Sequence, residues 1–336
     1  MSKMIGKQTV EFCNSPAVIG YAAVGSKTEK EGPFGHLFDH IFENPLAGQD
    51  SWEKAESELQ KTSLGLAMEK AGKSQEEINF VFAGDLLNQC TGSTFGIKSY
   101  GIPFVGLYGA CSTMALSLIM AAVFVDNGIG EYTAAVTSSH FCSAERQYRF
   151  PLEYGGQRPP TAQWTATASG AVILAQQGSG IRLRRATVGT VEDLGVTDAN
   201  NMGAAMAPAA AKTILQFLKD TNTAPDQYDA IFTGDLGQVG SDLLYQLTEE
   251  QGIGLRDRHK DCGLLIYDRV KQDVHAGGSG CGCSASVLCT HILNGFRDGT
   301  YHKVLFCATG ALLSPTTVQQ GETVPSIAHL VEITKD

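Results

Sequence analysis

Residues 78–89 read INFVFAGDLLNQ and residues 228–239 read YDAIFTGDLGQV. The fold turns on taking the second as a repeat of the first. Each is a short run of β-forming apolar residues, then Gly-Asp, then a stretch suited to a helix. That is a strand whose C-terminal end meets a helix capped by Asp85 or Asp235. Working outward, GACSTMAL at 109–116 finds a counterpart in GCSASVLC at 282–289, and TAAVTSS at 133–139 in VLFCATG at 304–310. The matches keep their order, and an extra loop near Arg256 to Lys271 accounts for the wider spacing of the later two. Strands alternating with helices give mainly parallel sheets covered on both faces. The expected fold class is therefore α/β, in two duplicated halves, residues 1–177 and 178–336. TATASGAVILAQ (165–176) closes the first and IRLRRATVGTV (181–191) opens the second.

The 336 residues, 43 % hydrophobic and 18 % charged, are enough for two fused units. A net charge of −10 leaves no surplus of Lys and Arg to displace counterions, which argues against nucleic acid as a partner. Nine cysteines at irregular spacing, with no signal-peptide pattern, point to a reducing compartment. Ser99 to Val125 carries no charge, yet Pro103, Gly106 and Gly109 break its first half. It reads as strand, turn and buried helix rather than a transmembrane segment.

Cys111 falls where IPFVGLYGA turns into STMALSLIMAAV. A thiol at a helix N-terminus faces unpaired N–H groups that lower its pKa, so Cys111 is either an activated nucleophile or a small buried residue beside Gly109. Asp85 and Asp235 read as helix caps and His259 as a surface residue. The polar stretch His140 to Gln163 is expected to be a long loop folding over the strand ends. NMGAAMAPAAAKTILQFL (201–218) should form a close-packed helix entered through Pro208. GCGC lacks the second ligand pair of a zinc site, and no phosphate-binding loop occurs, so neither metal nor cofactor is expected.

A duplicated strand–helix pattern with GACS before an apolar helix resembles the thiolase superfamily, which implies a layered α-β-α-β-α arrangement and a homodimer. By that resemblance the nucleophile position falls on Cys111. The second catalytic position, in GGSGCGCSAS (277–286), falls on Cys281, and the acid/base cysteine, in CATGALL (307–313), on Cys307. The position usually held by Asn or His after the strand at 228–233 falls on Gly234. Carbon–carbon bond formation needs a base and oxyanion donors. Gly234 and Cys281 supply neither, which argues against ordinary synthase activity, although a Cys111-dependent acyltransferase or condensing enzyme is the alternative.

TEKEGPFGHLFD, FAGDLLNQ, LYGACSTMALS, MGAAMAPAAA, HKDCGLLIYD and ATGALLSPTT, with the long AERQYRFPLEYGGQ segment, resemble the stage V sporulation protein AD family of spore-forming Firmicutes. The resemblance runs from about Gly6 to about His329. It implies a non-enzymatic protein that binds dipicolinic acid, alone or as its calcium chelate, for uptake into the developing spore. It also implies a peripheral place at the spore inner membrane beside membrane proteins of the same operon. A planar dianion calls for cationic or N–H donors and a flat apolar slot. On that reading Arg146, Arg149, Arg158, His140 and the helix start at Cys111 and Ser112 meet the carboxylates, Tyr148, Phe150 or Tyr154 the ring, and Gly234 and Cys281 complete the pocket.

Overall fold

The computed structural model describes residues 1–148, 158–178 and 180–335. Arg149, Phe150 and Tyr154 lie outside the described residues. Strands β1 (Lys3–Ile5) and β2 (Thr9–Glu11) form a hairpin, followed by β3 (Ala17–Ser26), β4 (His40–Phe42) and helix α1 (Trp52–Ala71). Next come β5 (Phe80–Gly84), α2 (Thr91–Ile97), β6 (Phe104–Gly106), α3 (Thr113–Asp126), β7 (Tyr132–Ser139), α4 (Phe141–Tyr148), β8 (Trp164–Thr165) and β9 (Ala168–Ala175). The remainder holds β10 (Ile181–Thr187), α5 (Met202–Thr221), β11 (Ala230–Thr233), α6 (Gly237–Glu249), β12 (His259–Asp261), β13 (Gly278–Ser279), α7 (Cys281–Val287), β14 (Lys303–Ala311) and β15 (Ser326–Lys335).

The strands run β12-β11-β14-β15-β10-β3-β9-β7-β5-β6 across the sheet. Outward from the centre, each set of five takes its own strands in the order first, fifth, fourth, second, third. The repeat seen in the sequence is thus a repeat of topology. The two sets meet through one residue pair, Arg182 and Ala17. Helix α3 touches β5 and β7 on one side and β14 and β15 on the other, and it packs against α7, so these two helices form the middle layer. Its sequence, TMALSLIMAAVFVD, is apolar around its whole circumference, as a helix enclosed on all sides requires. Outer layers are α1 on β3, β9 and β7, and α5 on β14 and β15.

The segment from Ser99 to Val125 resolves into β6, a turn and α3, as read from its glycines and proline. Among the described residues no helix is long and apolar enough to cross a membrane. Two local expectations fail. Pro208 lies inside α5, which instead starts at Asn201, whose side chain accepts from the Ala204 N–H. The stretch after His140 begins as helix α4 rather than loop. Its buried face, Ser143 and Ala144, is too short for a periodic apolar signal.

Candidate functional site

Cys111 stands in the turn between β6 and α3, at the C-terminal ends of the parallel strands, where α/β sheets place ligands. The turn is tight: Ala110 adopts a left-handed φ of 49°, which costs a non-glycine residue roughly 1 kcal/mol. Strand β14 presses on it. A Cβ at Gly310 would come within 2.3 Å of the Gly109 carbonyl oxygen and 3.2 Å of the Cys111 nitrogen, so glycine at this position lets β14 and the turn meet.

That approach brings Asp235 to the thiol. Asp235 is fully buried; its Oδ1 accepts from Thr309 Oγ1 at 2.8 Å, and its Oδ2 from Ser279 Oγ at 3.0 Å and the Gly280 N–H at 2.8 Å. The Cys111 Sγ lies 3.9 Å from the Oγ of Ser279, which donates to that carboxylate. Burial first, then the negative charge of Asp235, push the Cys111 thiol well above its ordinary range. Burial also raises Asp235. The activation that a helix start would give is therefore overridden: Cys111 rests as a protonated thiol beside a buried acid.

Asp235 was expected to cap a helix. The cap is Asp261 instead, which accepts from the Leu236, Gly237 and Leu264 N–H groups and from Thr233 Oγ1. Asp85 keeps a capping role, receiving Leu87 N–H, Ser93 N–H and Ser93 Oγ. What distinguishes the two copies of Gly-Asp is the residue across from them, and that is invisible along one copy. Gly234 donates its N–H to the Cys307 carbonyl, and a Cβ there would meet the Thr309 nitrogen at 2.9 Å. No side chain fits at 234, and the polar group arrives one residue later.

The other expected residues separate. Cys281 packs beside Cys111, with Leu86, Ala110 and Ala144, and donates its thiol to the Ser138 carbonyl at 2.9 Å. Cys307 lies in the middle of β14, not in a turn, and packs into the apolar cluster under α5 with Ile231 and Leu330, away from Cys111. Ser112 spends its hydroxyl on the Gly109 carbonyl at 2.6 Å. His140 is buried, its Nε2 against the Pro45 carbonyl at 2.8 Å and its Nδ1 accepting from the Cys142 N–H, and burial lowers its pKa. Arg146 grips Glu53 of α1 in a two-point ion pair. Arg158 lies over the Trp164 ring and bonds Asp273. His259, expected at the surface, is 9 % exposed between Thr233 and Tyr245, and burial brings its pKa down to about 4.

A narrow pocket opens over Cys111, walled by Leu86, Ala144, Tyr148, Thr165, Ser279 and Leu313, with Glu145 at its edge. Room for the centres of water-sized molecules is about 40 Å³. Among the described residues no group of three or more His, Cys, Asp or Glu side chains could hold a metal ion.

The family model for stage V sporulation protein AD matches residues 6–334. The chain belongs to the stage V sporulation protein AD family. It is 46 % identical over 327 residues to the stage V sporulation protein AD of Bacillus subtilis (strain 168), covering 97 % of this chain and 96 % of that protein. Membership makes it a homologue of a sporulation protein and fits a role in the forespore. Among solved structures it is similar to 3-oxoacyl-[acyl-carrier-protein] synthase III of Aquifex aeolicus VF5, with TM-score 0.59, 10 % identity, 95 % of this chain and 99 % of that chain. Acetamide-bound OleA of Xanthomonas campestris gives TM-score 0.60, 13 % identity, 98 % of this chain and 100 % of that chain. At such identities the likeness establishes the thiolase-like fold alone.

Proposed function

We propose that this protein binds dipicolinic acid without transforming it and serves its uptake into the developing spore. It would act at the periphery of the inner membrane beside membrane partners of the same operon. The observation that carries the reading is the fully buried Asp235, held by Ser279, Thr309 and Gly280 with Cys111 on the far side of Ser279: a pocket is kept while burial and that charge keep its thiol protonated. Neither His140 nor His259 relieves that, since both are bound elsewhere.

The described lining carries Glu145 and no lysine or arginine. Among the described lining residues no basic side chain would neutralise a dianion, so the ligand is proposed to arrive as its calcium chelate. Calorimetric titration with dipicolinate, with and without equimolar calcium, tests this together with intact mass after incubation with acyl-CoA. Saturable binding strengthened by calcium, with no adduct, supports the reading. A stable acyl adduct lost in Cys111→Ala, with no dipicolinate binding, replaces it with the acyltransferase.

The protein is further proposed to be a homodimer. Among the described residues strand β6 ends the sheet and pairs only with β5, with Phe104 and Phe95 exposed beside it. Light scattering on Phe104→Glu, beside the parent protein, should read a monomer where the parent reads a dimer; a parent monomer refutes the proposal.

A further inference from the structure

A second cavity abuts the Cys111 pocket. It offers about 280 Å³ to the centres of water-sized molecules, against about 40 Å³ inside. A protein cavity that takes up a benzene ring is about 150 Å³. The outer cavity therefore has room for a six-membered ring, and the inner pocket, as it stands, does not.

Among the described residues only Tyr148 and Leu313 line both. Tyr148, the last residue of α4, donates its hydroxyl to the Leu86 carbonyl. Gln147 fastens the same place, donating to the Leu86 carbonyl at 2.8 Å and accepting from the Asn88 N–H at 2.9 Å. The outer floor is formed by Gln89 and Cys90, two successive non-glycine residues with left-handed φ of 56° and 52°. Such strain persists only where the surroundings hold it, and it gathers around ligand sites. Tyr108, half exposed, presents a ring on the outer wall, and Asn88, Gln89 and Ser314 supply polar groups on the rim. No charged side chain occurs among the described residues that line it.

We infer that this outer cavity is a binding subsite for planar aromatic molecules with hydrogen-bonding substituents, and that the Tyr148 side chain is the gate through which they reach Cys111. The ring stacks on Tyr108, and any carboxylates travel with their counter-cation, because nothing charged in the described wall would neutralise them. This rests on the proposal that the protein binds dipicolinate, whose ring occupies the outer cavity at saturation.

Alkylation by iodoacetamide, followed cysteine by cysteine with peptide mass spectrometry, reads the gate without any ligand. Tyr148→Phe keeps the ring but loses the hydrogen bond to the Leu86 carbonyl, so Cys111 should be labelled roughly fivefold faster than in the parent, the equivalent of about 1 kcal/mol. Tyr148→Ala should be faster still. Parent-like rates in both variants overturn the gate, and the Phe variant decides alone if the Ala variant does not fold. For the subsite the probe is dipicolinate with calcium. Cys90 should be protected from labelling at saturation, and Tyr108→Ala should weaken binding about three- to tenfold, the range of an aromatic stacking contact. Calorimetric binding with Cys90 labelled at its free rate overturns the subsite. Absence of any binding refutes the dipicolinate reading and with it the subsite's assigned occupant, while the Cys111 rates still decide the gate.

Discussion

At the scale of the residue, Asp235 governs the site. Its carboxylate receives Ser279, Thr309 and the Gly280 N–H, and after burial its charge is what raises the Cys111 thiol that a helix start alone would lower. Asp235→Asn removes the charge and keeps an acceptor. The expected outcome is a Cys111 whose alkylation midpoint moves to lower pH. The pH profile of iodoacetamide labelling measures this; an unmoved midpoint would mean that burial alone sets the thiol. The sequence named Cys111 but not the carboxylate that acts on it. Both Gly-Asp copies look alike, and only the strand opposite, with Thr309 and the backbone contact at Gly234, separates a cap from a site carboxylate. Arg146 is a second lesson of this kind. Its partner Glu53 lies on α1, beyond the reach of local charge pairing. With about half of its side chain exposed, the pair contributes less than about 1 kcal/mol. Arg146→Ala should therefore leave dipicolinate affinity within about twofold of the parent in the same titration.

At the scale of the element, the turn at Cys111 and helix α4 were the least legible features. Their conformations are set by contacts rather than propensity. Ala110 holds a left-handed φ because β14 lies against the turn, and α4 stands on Ser143, bonded to the buried Glu56 at 2.6 Å, and on the Gln147 and Tyr148 contacts with Leu86. Gly310→Ala would drive a methyl group into the Gly109 carbonyl. Overpacking of this kind typically costs about 1–3 kcal/mol, to be read from denaturant unfolding, and it should also displace the Cys111 turn from Asp235. Unchanged stability together with an unchanged Cys111 alkylation profile would show that β14 does not hold the turn. The apolar middle helix α3, by contrast, was plain in the sequence, because uniform burial writes a uniform pattern.

At the scale of the whole molecule, the repeat was readable because strand, Gly-Asp and helix recur in order, and the mirrored strand order follows from it. The buried charges that the repeat gathers were not readable. Burial pushes Asp261 up to about 7 and brings His259 down to about 4. An acid raised in the fold keeps its proton between about pH 4 and 7 while the unfolded chain has lost it. It therefore adds stability as pH falls through that window and adds nothing further above 7. His259 works oppositely below its ordinary value, since the unfolded chain takes up a proton that the folded ring refuses. Asp261→Asn leaves the histidine uncompensated. Its stability deficit relative to the parent should widen on acidification from pH 7 to 4, by on the order of 1 kcal/mol per unit, as measured by urea unfolding across that range. A deficit independent of pH would show that Asp261 does not titrate there.

The amino-terminal hairpin binds this whole together in a way the sequence order conceals. Besides its hairpin partner β1, strand β2 pairs with β10, through Glu11, Val10 and Thr9 opposite Arg185, Ala186 and Thr187, and Asp220 of α5 accepts from the Lys7 and Gln8 N–H groups. The first eleven residues are thus a hairpin lent to the other side of the molecule, so the peptide link near 178 is not what keeps the two sides together. Expressed as separate polypeptides, residues 1–178 and 180–336 should find each other and co-purify as one complex, with the amino-terminal piece acting as both partner and clasp.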